Sequence, residues 1–309
     1  MNVLELKLEY LGYDKPNGKI LLGPSYNNVY NVINKLSEKD LLELKPITID
    51  EMKKTAVKFY EKYFDLHDIF FAPLENTKVI MSDVQTGKID ELQAYKQYYE
   101  LSREISPFEL PIVLKKGDSM IGEVIKPLIL LPKEFIPKEI MGFVPFSDIH
   151  LGDEITTLSV PTYIHEIAHT QQESNPGYAK SYFNKEVISI FLEKLSAYEN
   201  DPTGNLLKVS ERRRFMHIKT SIDSLKIDDK MHILTEEERL DCAMYIQSTL
   251  LAEKMFDMYL QEKKVKKREK YIYDIQDVFD GKQTVEDILE KRNITINQGK
   301  DLSLIKRHI

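Results

Sequence analysis

Residues 163–172 read YIHEIAHTQQ, two histidines four positions apart with a glutamate directly after the first. On a helix, positions i and i+4 project from one face, one turn apart. His165 and His169 can therefore both reach one metal ion, and zinc accepts such borderline nitrogen donors at about 2.0–2.1 Å. Glu166 projects beside the pair, where a carboxylate can take a proton from an attacking water without competing as a ligand. Its neighbours Tyr163, Ile164, Ile167, Ala168 and Thr170 are uncharged, as expected of a helix in a core, where a histidine needs a partner to offset its burial. The same five letters also arise by chance on amphipathic helices. A third donor must decide between a metal site and two partly exposed histidines.

A catalytic zinc site takes three protein ligands and keeps one position open. No histidine follows at short range: Gln172 and Asn175 stand where an HExxHxxGxxH pattern would have its glycine and third histidine. The next segment, NKEVISIFLEKLSAYE over 184–199, carries apolar Val187, Ile190, Phe191 and Leu195, so the helix is packed. Glu186, Ser189 and Glu193 fall at i, i+3 and i+7 and form one polar stripe on it. That stripe either faces solvent or delivers a carboxylate to the metal. Glu186 is the ligand expected on the second reading, because a carboxylate on a packed helix needs a cation.

HEIAH followed by EVISIFLE resembles the thimet oligopeptidase and oligoendopeptidase F family of zinc peptidases. In that pattern a glutamate opens a second helix and another follows seven residues on. The resemblance implies Zn2+ as cofactor, His165, His169 and Glu186 as its ligands, and Glu166 as general base. It implies for Glu193 a supporting role, orienting a ligand histidine. YIQSTLLAEKMF, residues 245–256, is similar to the family's tyrosine-bearing helix, which makes Tyr245 the implied hydrogen-bond donor to the oxyanion. His232 falls near the family's second catalytic histidine, although the glycines that accompany it there are missing. The resemblance spans about residues 150–260, and the chain is shorter than typical members.

These residues need elements to hold them. Thr48 with Glu51 three residues on predicts a capping box opening a helix in TIDEMKKTAVKFYEKYFDLHDIF. A charged helical stretch follows around IDELQAYKQYYELSREI. Between 110 and 160, LPIVLKK, KPLILLP, IMGFVPF and DEITTLSV read as strands divided by Pro and Gly. The last of them could offer its edge to an extended peptide. His150 sits in a turn-like SDIHLGDE and is expected to be exposed, as is His67. Beyond that, helices are predicted over 161–174, 184–199, 205–225, 236–270 and 284–292. Arg212, Arg213 and Arg214 are a possible reader of a substrate carboxylate. The predicted class is α+β, mostly α and zincin-like. A small mixed sheet lies in the N-terminal half and a helical C-terminal half flanks a cleft. The predicted division is a mixed lobe over 1–110 and a catalytic region over 111–309.

The 309 residues are 42% hydrophobic and carry a net charge of -7. An acidic chain is a poor partner for a nucleic-acid backbone, and the run 263–270, KKVKKREK, reads as a solvated helix face. One cysteine excludes a disulfide framework. With no signal-like start and no long apolar run, the expected setting is the cytoplasm, without membrane contact. The expected activity is zinc-dependent hydrolysis of peptide bonds. Its rivals are a peptidase dedicated to one protein target, a non-catalytic peptide binder on the same scaffold, and a helical protein with a chance motif.

Overall fold

A computed structural model of the chain describes residues 44–116, 122–125, 146–174, 185–214 and 236–294. The predicted strands KPLILLP and most of IMGFVPF, and the segment 215–225, lie outside these residues. The described chain is mostly helical with small sheets, and it divides into two compact units.

The first unit holds residues 44–174 and 266–284. Helix α1, Ile49–Tyr63, opens on the expected capping box: Thr48 Oγ1 accepts from Glu51 N, and the Glu51 carboxylate accepts from Thr48 N. Strand β1, Ile69–Phe71, pairs antiparallel with β2, Arg103–Ile105. Helices α2, Leu74–Gln85, and α3, Glu91–Leu101, come between them. These two helices enclose a small core of Ile80, Ala94, Tyr95 and Tyr98. A second sheet contains β3, Ile112–Lys115, β4, Gly122–Ile125, and β5, Asp148–Gly152. Its order is β3-β5-β4, with β3 parallel and β4 antiparallel to the central β5. It is thus the small mixed sheet expected from the sequence, although GEVI had not been singled out as one of its strands.

Helix α4, Ser159–Glu173, runs behind that sheet, and every residue from Val160 to Gln172 is buried. Pro161 costs nothing there, because the first helical N–H groups have no intrahelical acceptor. Three braces hold it. Tyr60 of α1 donates to Ile164 O at 2.6 Å. The Gln171 amide both accepts from His67 N and donates to His67 O, at 2.8 and 2.9 Å. Strand β4 packs on its other side. The loop carrying His67 is held a second time by Gln276 of α8, Val265–Phe279, whose amide exchanges two hydrogen bonds with the Asp65 backbone.

Three expectations are corrected in this unit. The helix expected over 48–70 ends at Tyr63, and Ile69–Phe71 is strand β1. DEITTLSV is not a strand. It makes an isolated bridge, Pro46 to Thr156, and then turns. Thr156 N donates to Ser159 Oγ, and Leu158 N to Thr156 Oγ1. These side chains draw the backbone out of extended form into the start of α4. His150 is not in an exposed turn either. It lies on β5 with only 14% of its side chain exposed, and its Nε2 is 2.8 Å from Asp148 Oδ2.

The second unit holds residues 185–265 and 285–294. Helix α5, Lys185–Asn200, packs on α7, Glu236–Gln261, and on α9, Val285–Lys291. Residues 205–214 form α6. The predicted single helix over 236–270 is two: α7 ends at Gln261, with Glu262 N still donating back to Met258 O, and α8 opens at Val265. Phe191 meets Phe256 and Tyr259 edge-on at 5.9 and 5.6 Å. Lys194 is fully buried there, with Nζ 2.5 Å from Glu211 and 2.6 Å from Glu253, tying three helices together. Lys194→Met should leave two buried carboxylates without their cation and cost about 3–5 kcal/mol in urea unfolding. A loss below about 1 kcal/mol would show that this triad does not hold the unit together.

Candidate metal centre

Burial of α4 on all sides forces each of its polar side chains to find a partner. His165, Glu166 and His169 are 5%, 3% and 7% exposed, so this is not the pair of partly exposed histidines that the sequence left open. The two imidazoles meet edge to face, with centroids 4.7 Å apart. Their Nε2 atoms stand 3.0 Å from each other. Two neutral imidazoles can close that gap only with a shared proton or a shared cation, since each ring offers one donor and one acceptor nitrogen. A tetrahedral ion with bonds of about 2.0 Å places its ligands about 3.3 Å apart. The observed spacing is close to that edge.

Glu166 points to the sheet. A Cβ built on Gly122 would lie 2.4 Å from Glu166 Oε1 and 2.6 Å from Thr162 Cγ2. Strand β4 thus runs so close to α4 that a Cβ at this position requires the Glu166 or Thr162 side chain to shift. Gly122 is opposite Leu151, and Val124 opposite Ile149, so these side chains share the face toward α4. Glu123 and His150, opposite each other, face away. There His150 Nδ1 stands 3.8 Å from Glu123, which pairs with Lys115 at 2.8 Å. His150 and Asp148 are therefore on the far face from Glu166.

Glu186 offers the third donor. It lies in the second unit and the two histidines in the first; together they are the trio of His, Cys, Asp and Glu residues, among the described residues, that could hold a metal ion. The donor set is two nitrogens and one carboxylate, which suits zinc in a site with an open position.

The rest of the polar stripe on α5 is interior, not solvent-facing: Ser189 is 0% and Glu193 2% exposed. Ser210 Oγ donates to Glu193 Oε1 at 2.8 Å, and Arg214, one turn further along α6, donates to Glu193 Oε2 through Nη2. Arg214 Nη1 donates to the Tyr245 hydroxyl. Burial opposes the Arg214 charge, but Glu193 and then Tyr245 outweigh it, and the guanidinium stays charged. Burial also raises the Tyr245 phenol, Arg214 pulls it back and Glu186 raises it, leaving it at about 12. Tyr245 is therefore protonated at neutral pH. The sequence singled out Tyr245 and Glu193 but not Ser210. It offered Arg214 as a reader of substrate, whereas the side chain engages Glu193 and Tyr245. His232 lies outside the described residues, as does His217.

No protein family, curated protein or solved structure matches the chain. The reading of the site therefore rests on its own residues.

Gly122→Ala should force β4 away from α4 or displace the Glu166 carboxylate. The expected loss is about 1–3 kcal/mol in denaturant unfolding, as for other overpacked cores. Unchanged stability would show that β4 is not seated on Glu166.

Proposed function

We propose that the protein is a zinc-dependent peptidase with a zincin-like arrangement of helix and sheet. In this reading His165, His169 and Glu186 hold the ion, and Glu166 is the general base for hydrolysis of peptide bonds. The observation that carries the reading is the pair of buried imidazoles turned Nε2 to Nε2 at 3.0 Å, with a buried carboxylate in the next position along the helix. Glu186, in the second unit, is the candidate third donor of the same trio. Bound zinc supplies Lewis acidity: it polarises a carbonyl and makes water a competent nucleophile near neutral pH.

The chain's own residues do the rest. Glu166 takes the proton of the attacking water and delivers it to the departing amine. Its seat against β4 fixes it on the sheet side of α4. Among the described residues β4 pairs on one side only. Its other edge is the place for an extended peptide to add as a further strand, replacing the segment 153–160 in that role. Tyr245, protonated at neutral pH, donates to the oxyanion. No described helix is long and apolar enough to cross a membrane. A cytoplasmic setting and a peptide or protein substrate, without nucleic acid, belong to the same reading.

Elemental analysis of the purified chain should find about one zinc per molecule, and chelation should abolish cleavage of a peptide library. A chain purified without any divalent metal, and inert after zinc is added, would end the reading. Short peptides cut at many sites would distinguish a general oligopeptidase from an enzyme dedicated to one protein. Glu166→Gln should retain zinc and lose about 10²–10⁴-fold in kcat. Glu186→Ala should lose most of its zinc under dialysis, and Glu193→Ala less. The reverse order would move the third ligand to Glu193.

A further inference from the structure

Arg214 has no part in the reaction as just described, yet it is the most constrained cation around Tyr245. Ser210 and Arg214 stand one turn apart on α6, and together they occupy both oxygens of the buried Glu193 carboxylate. With one nitrogen committed to Glu193, the planar guanidinium presents Nη1 to the Tyr245 hydroxyl. A guanidinium has only donors, so the direction of that bond is fixed: the phenol oxygen accepts. The pair does not consume the phenol proton. A positive charge against the oxygen also makes the O–H a stronger donor, because it stabilises negative charge building on the phenol as its proton is shared. Glu186, the proposed third ligand, is close enough for its charge to be felt by both Arg214 and Tyr245.

We infer that Arg214 is a positioning residue for Tyr245. Clamped by Glu193 and Ser210, it holds the phenol oxygen as an acceptor so that the hydroxyl proton is the one given to the oxyanion of the substrate carbonyl. The role of Glu193 is then to fix Arg214. This inference rests on the peptidase reading.

The test is a double-mutant cycle on the zinc-loaded full chain. Arg214→Met combined with Glu193→Gln removes both members of the buried ion pair, so that no lone carboxylate remains. Tyr245→Phe should lower kcat by about 10²–10³-fold in the native background, the cost of one oxyanion donor. The R214M/E193Q chain should lose about 10–10²-fold in kcat with KM within about threefold, and adding Y245F to it should cost less than about threefold more. Zinc content should fall less than in Glu186→Ala, and rates are taken per bound zinc. Arg214→Lys, which keeps the charge, should recover part of the loss. A binding measurement gives a second readout. A phosphinic peptide, whose tetrahedral anion imitates the oxyanion, should bind the R214M/E193Q chain about 10-fold or more weakly, while a product peptide binds within about threefold of the native affinity.

Equal weakening of both ligands would mean that the pair only supports the fold and would overturn the assignment. So would a Y245F effect of the same size in both backgrounds. A native, zinc-loaded chain that cleaves no peptide would instead overturn the peptidase reading itself, which separates the two failures.

Discussion

The interior of α4 sets the terms for the first unit. A helix with thirteen consecutive buried residues carries two imidazoles and a carboxylate among them. Each of these polar groups lost its water when the helix was enclosed, and each must regain a partner from the protein or from an ion. The histidines meet this demand by facing each other across 3.0 Å, a gap that a shared proton or a shared cation closes. The braces on α4 follow from the same constraint. Tyr60 on Ile164 O and the Gln171 amide on the His67 backbone fix the rotation of the helix about its axis. That rotation decides which neighbours the two rings face.

The second unit deals with buried charge in a different way. Helix α5 is packed from Val187 to Ala197, yet it carries Glu193 and Lys194 in its interior. Adjacent residues on a helix point about 100° apart, so they cannot satisfy each other. Each is met by a neighbouring helix instead: Glu193 by Ser210 and Arg214 of α6, Lys194 by Glu211 of α6 and Glu253 of α7. Pairs of this kind add little stability over apolar packing, but removing one partner is costly. They therefore fix the register of α5, α6 and α7, and with it the position of Tyr245.

The sequence carried the local facts well. Spacing alone placed His165 and His169 on one helical face. Thr48 and Glu51 announced their capping box, and Val187 to Leu195 announced a packed helix. In one place it misled because a side-chain hydrogen bond outweighed local propensity. The β-branched run before α4 looks like a strand, but Thr156 and Ser159 turn it by bonding its backbone. The lysine-rich continuation of α7 looks helical throughout, but that helix ends at Gln261 and a separate one opens at Val265.

Read alone, the chain determined which groups could do chemistry: an HExxH turn and the glutamates of a later packed helix, identifiable because helical period and residue type are properties of a short window, while Tyr245 was implied only by a family resemblance. Tertiary structure decided what those groups meet. Gly122 against Glu166 joins residues 44 positions apart, and Arg214 between Glu193 and Tyr245 joins three helices. Nothing in a local window encodes such meetings, because they depend on which faces of distant elements pack together and on the demand that every buried charge find a partner.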